Sequence, residues 1–223
     1  MKILALETSG MSGEVALLED NRVLVSEMLN EQQRTAQSLA PGIASALAKA
    51  AWRPQDINLV AVTIGPGSFT GLRVGVTTAK TFAYAVGCEV LGVDTLEVIA
   101  AQAPASAETL WAVLDAQRSQ LFAAQFEQAD GTWHMTAPAE IIDNDHFLAR
   151  AGGVLVTGSG LKRLVPRLEP ARVVSPELWP PRAATVGQIA WRAYQTGRRD
   201  DLWTLSPRYL RASAAEEKAA QSE

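Results

Sequence analysis

Gly65-Pro66-Gly67-Ser68-Phe69-Thr70-Gly71-Leu72-Arg73-Val74-Gly75 is the stretch on which the fold turns. An apolar run, Ile57 to Ile64, precedes it and predicts a buried strand; a helical run from Ser68 to about Val86 follows. Glycines and a proline at a strand-to-helix junction make a tight turn. Ser68 is placed to cap the helix, and the free amides of the first turn favour an anion above them. Arg73 stands near the positive end of its own helix, so it calls for a carboxylate or phosphate partner. Gly71, Gly75, Ala79 and Ala83 recur every four residues and form a stripe with almost no side chain. Each helical glycine costs about 0.5–1 kcal/mol relative to alanine, so another backbone must come close. That backbone belongs either to the protein's own sheet or to a partner chain.

Upstream, Lys2 to Leu6 reads as a central strand, and Glu7 to Gly13 as a polar turn. Val15–Leu18 and Val23–Leu29 complete an antiparallel meander. Arg34 to Ala51 is helical, with Leu39, Ile43 and Leu47 on one line and Ala36, Ala40, Ala44 and Ala48 on another. Pro41 either kinks this helix or marks its first turn. Downstream, Glu89 to Val93 is a strand and Thr95 caps a short helix to Ala101. Strand triplet, helix, strand, helix, strand predicts a mixed sheet with helices, the α/β class.

Pro104-Ala105-Ser106-Ala107 reads as a boundary, giving an N-terminal lobe 1–103 and a C-terminal lobe 104–211. The second lobe carries strands at Leu110–Leu114, Leu121–Phe126 and Val154–Val156 and a short helix at Asp143–Arg150. A helix capped by Thr185 runs to about Gln195, and Ser206 to Arg211 is extended. Residues 212–223 are polar, alanine-rich and expected to fray.

At 223 residues, 48% hydrophobic and net charge −4, the chain can bury a core but lacks the basic excess of a nucleic-acid binder. Any nucleic-acid role is therefore indirect. Cys88 is the single cysteine, which excludes an internal disulfide and fits a reducing compartment. No apolar run reaches the roughly 18 residues of a membrane span. His134 and His146 are the only histidines and do not make a metal-hydrolase motif. No lysine follows the glycine turn as a Walker A loop requires, and no G-x-S-x-G elbow is present. Gly65, Gly67 and Gly71 match a dinucleotide turn only loosely.

Five motifs together resemble the TsaB (YeaZ) family, glycoprotease-like proteins of tRNA threonylcarbamoyladenosine (t6A) biosynthesis. They are Ile3 to Ser9, Gly65 to Gly75, Gly92-Val93-Asp94-Thr95-Leu96, Asp115-Ala116-Gln117-Arg118 and Pro207-Arg208-Tyr209-Leu210-Arg211. The resemblance implies a two-lobed actin-like ATPase, or ribonuclease H-like, fold. It implies a cytoplasmic, non-catalytic scaffold that binds and activates the catalytic subunit TsaD and works with the ATPase TsaE. That assembly transfers threonylcarbamoyl from its adenylate to adenosine 37 of tRNA, which such a scaffold meets only through the complex. A homodimer is expected when TsaD is absent. Neither catalytic nor metal-binding residues are implied, and no intrinsic cofactor; ATP or ADP is admitted at the partner interface. The family's contact with TsaD lies on the first two helices, which here assigns Leu39, Ile43, Leu47, Gly71, Leu72, Gly75 and Ala79 to the interface. Glu7, Ser9, Gly67, Ser68 and Arg73 are left as a vestigial nucleotide or anion site. The rival readings are a small actin-like ATPase or kinase using Glu7 and the Gly67–Ser68 turn, and a glycopeptidase.

Two departures weaken intrinsic hydrolysis. Glu7 stands where the family usually has Asp. The family pattern D-A-R-x-G-E reads here Asp115-Ala116-Gln117-Arg118-Ser119-Gln120, and so loses its acid.

Overall fold

The computed structural model describes residues 1–30, 32–104 and 107–211. The expected meander forms β1 (Lys2–Glu7), β2 (Glu14–Glu19) and β3 (Arg22–Met28). After α1 (Thr35–Lys49) come β4 (Leu59–Gly65), α2 (Phe69–Val86) and β5 (Glu89–Asp94). The first sheet runs β3-β2-β1-β4-β5, antiparallel across the meander and parallel from β1 through β4 to β5. α3 (Thr95–Ala101) leads to the second sheet. That sheet comprises β6 (Thr109–Gln117), β7 (Gln120–Ala129), β8 (Thr132–Met135), β9 (Glu140–Asp143) and β10 (Leu155–Thr157). Its order is β10-β6-β7-β8, with β9 also on β7. α4 (Asn144–Arg150) precedes β10, and α5 (Ala183–Gln195) is the last helix. Two mixed sheets with flanking helices make the α/β architecture that the sequence predicts. Among the described residues no helix is long and apolar enough to cross a membrane.

β1, β2, β4 and β5 are near-continuous apolar runs because both faces are covered, whereas the edge strand β3 is largely exposed. Leu4, Leu6, Leu17, Val60 and Val62 face α1 and α2. Ile3, Ala5, Ala16, Leu18, Leu59 and Ala61 face α5. That second contact corrects the expected course of the C-terminal lobe through residue 211. α5 follows the second sheet in sequence but packs on the first, with Val186, Ile189 and Ala190 filling the face that α1 and α2 leave open. The expected fray of 212–223 lies outside the described residues.

Pro41 sits inside α1, which continues through it to Lys49, so it does not mark the first turn. Two local readings are corrected. Asp94, not Thr95, caps α3: its Oδ1 accepts the Leu96 and Glu97 N–H groups at 2.8 and 3.3 Å. At α5 the N-cap is Arg182, whose side chain makes no cap bond.

Candidate functional site

Ser68 caps α2 as its position suggested: its Oγ accepts the Gly71 N–H at 3.2 Å. The turn before it leans on the end of β1, where the Ser68 N–H donates to the Ser9 carbonyl at 2.8 Å. Gly65 has φ +123°, and a Cβ there would lie 2.5 Å from the Arg208 carbonyl. Glycine is therefore required both by conformation and by the close passage of the C-terminal segment.

Between the two sheets lies a cleft of about 600 Å³. Ser9, Gly10 and the Gly67–Thr70 turn line one wall, and Leu114 to Arg118 with Ser159 line the other. Arg208 to Arg211 run along it. The structure thus brings Ser9, Gly67 and Ser68 together at the cleft, as the sequence suggested.

Glu7 is adjacent but does not line the cleft. It is 1% exposed, and its Oε1 accepts the Ser9 N–H at 2.7 Å, the Ser9 hydroxyl, and Thr63 Oγ1 at 3.4 Å. Burial is the main cause that pushes its carboxyl up to about 7, and the facing Glu14 adds to this, while the Ser9 bonds pull the other way. Glu7 therefore pins the β1 turn from behind rather than presenting a carboxylate to the cleft.

Arg73 is not part of this group. Its Nε donates to the Tyr209 hydroxyl at 3.1 Å, and its guanidinium lies 4.0 Å from the Phe69 ring centroid. The expected acid or phosphate partner is replaced by two aromatic side chains, which satisfy a cation through their π faces and one oxygen. Phe69 and Tyr209 also stack on each other, 4.4 Å between centroids.

The proposed interface residues are corrected as a group. Leu39, Ile43, Leu47, Gly71, Leu72, Gly75 and Ala79 are all buried within the chain. A Cβ on Gly71 would collide with the Thr8 carbonyl, and one on Gly75 with Thr8 Oγ1. The close approach that the glycine stripe demanded is made by β1's own end. The alanine stripe of α1 does the opposite: Ala36, Ala40, Ala44 and Ala48 are all exposed. Thr70, Arg73, Thr77, Thr81 and Tyr84 are exposed on α2.

Four residues the sequence reading passed over hold the site in place. Glu14 is buried, accepts Ser26 Oγ at 2.5 Å, and accepts the Ala183 N–H at 3.1 Å, capping α5 from β2. Asp94 pairs with Arg208 at 3.0 Å; burial raises its carboxyl above the usual range and Arg208 opposes this. Arg208 N–H also donates to the Ile64 carbonyl at 2.6 Å. Arg211 donates to the Ala116 carbonyl and to Gln120 Oε1. Asp94 had a readable signal, an aspartate just before a helical run. The others depend on partners far away in sequence. His134 and His146 are exposed, and Cys88 is half-buried, which pushes its thiol up to about 11.

The sequence model of the tRNA N6-adenosine threonylcarbamoyltransferase (TsaD) family matches residues 24–157. The tRNA threonylcarbamoyladenosine biosynthesis protein TsaB of Bacillus subtilis is 30% identical over 138 residues, 62% of this chain and 60% of that protein. The match thus spans about 60% of that relative's length. The Escherichia coli protein of the same name is 26% identical over 227 residues, 98% of each chain. Among solved structures, YeaZ from Pseudomonas aeruginosa superposes with a TM-score of 0.81 at 25% identity, over 94% of this chain and 99% of that one.

Proposed function

This chain belongs to the tRNA N6-adenosine threonylcarbamoyltransferase (TsaD) family, and from that membership we propose that it is a non-catalytic subunit of t6A synthesis. It binds and activates TsaD, with TsaE as the ATPase of the same assembly, and meets tRNA only through that complex. The full-length likeness to the E. coli TsaB protein supports this role over that of a transferase.

The observation that carries the non-catalytic reading is Glu7. The acid at the end of the first strand is 1% exposed and turned to Ser9 and Thr63, so it does not face the cleft. The surface that fits TsaD contact is the outward side of α1 and α2, where Ala36, Ala40, Ala44 and Ala48 let a partner helix come close.

The test is threonylcarbamoyl transfer to tRNA by TsaD and TsaE with and without this chain. Transfer is expected only when all three are present, and none from this chain alone. ATP turnover by the purified chain that Glu7→Ala abolishes would instead favour a small actin-like ATPase.

A further inference from the structure

We propose that Arg211 is a latch that fixes the cleft's second-lobe wall to the C-terminal strap. The strap, residues 207–211, is held to the first lobe at three points. Arg208 bonds the Ile64 carbonyl and pairs with Asp94, and Tyr209 stacks on Phe69. At Leu210 it crosses over, and that side chain packs, partly buried, against the core of the second sheet. Arg211 then grips the turn between β6 and β7 through the Ala116 carbonyl and Gln120.

That turn is under strain. Gln117, Arg118 and Ser119 have φ of 61°, 53° and 58°, three consecutive non-glycine residues in left-handed conformation. In an L-residue this conformation crowds Cβ against the following carbonyl, and a two-residue hairpin of this hand normally carries glycine. The turn persists because neighbours hold it. Asp115 Oδ1 accepts the Gln117 N–H at 2.7 Å, the Asn144 N–H donates to the Ser119 carbonyl at 3.0 Å, and Arg211 closes the base. Since Leu114 to Arg118 line the cleft, the position of that wall depends on the strap.

Both bonds of Arg211 draw on the guanidinium charge alone, because the Ala116 carbonyl and the Gln120 amide oxygen are neutral. A carboxylate at position 120 would add the second charge of an Arg–carboxylate pair.

The test measures lobe separation by electron–electron resonance between spin labels at Met11→Cys and Gly152→Cys, in a Cys88→Ala background. Met11 is fully exposed on the first lobe, and a side chain at Gly152 enters open space on the second. Arg211→Ala is expected to broaden the distance distribution. Gln120→Glu is expected to narrow it and raise the melting temperature. Should Arg211→Ala not fold, Gln120→Ala carries the same expectation of broadening. Unchanged distributions in cooperatively melting variants, or shifts of the same sign in the Ala and Glu variants, would overturn the latch.

Discussion

Glu7 illustrates how one carboxyl changes meaning with burial. Polar residues around it supply hydrogen bonds, yet the cost of taking the charge out of water dominates, and the carboxyl rises from 4.5 to about 7. The consequence for stability has a definite sign. Below pH 4.5 the group is neutral in both folded and unfolded chains and costs nothing. Between 4.5 and 7 the unfolded chain ionises first, so folding loses ground as pH rises. Above 7 the cost is constant, about 3 kcal/mol for a carboxyl raised from 4.5 to about 7. Glu7→Gln keeps an acceptor for the Ser9 N–H and removes the titration. Its stability advantage over the native chain, from urea unfolding, should grow by about 3 kcal/mol between pH 4 and pH 8. Parallel stability curves across that range would show that Glu7 ionises as an ordinary surface carboxylate does.

Elements with a clear period were legible from sequence: the meander, the strand before the glycine turn, and α2 with its Ser68 cap. Orientation was not, because α1 and α2 carry four-residue stripes that look alike but face opposite ways. The α2 stripe contains glycine and lies against Thr8; the α1 stripe is all alanine and faces outward. Glycine, which costs helix stability, marks a close approach; alanine, which costs none, marks nothing by itself. Gly75→Leu should therefore destabilise the folded chain by at least the roughly 1–3 kcal/mol of ordinary overpacking, since even a Cβ collides with Thr8. A lowered melting temperature is the expected readout; an unchanged one would return the stripe to the surface. Ala44→Arg, on the exposed stripe, should leave melting unchanged within about 0.5 kcal/mol. The same change should abolish co-elution with TsaD. Retained co-elution would place the partner contact elsewhere.

At the scale of the whole molecule, the chain does not divide where its composition does. Pro104 to Ala107 looks like a linker, and the strands on either side do form separate sheets. What the sequence could not show is that α5, beyond the second sheet, returns to close the first. Its apolar face is an amphipathic pattern that fits any sheet, and the choice is made by distant partners. Val186, Ile189 and Ala190 meet β1, β2 and β4, and Glu14 caps the helix from β2. The first sheet is thus completed only after the second has been traversed. A fragment of residues 1–103 would strip the α5 cover from Ile3, Ala5, Ala16, Leu18, Leu59 and Ala61, all 0% exposed in the intact chain. At about 25 cal/mol per Å², uncovering roughly 200–600 Å² of apolar surface is enough to cancel the margin of roughly 5–15 kcal/mol that keeps a domain folded. That fragment should show no cooperative melting transition by circular dichroism and should bind a hydrophobic dye. Joining residues 178–200 to it through a flexible linker should restore a sigmoidal melt, because it returns α5 with its capping partner already in place. The intact chain, for the same reason, should melt in a single calorimetric transition. A fragment 1–103 that melts cooperatively by itself would show that α5 decorates the first lobe rather than completing it.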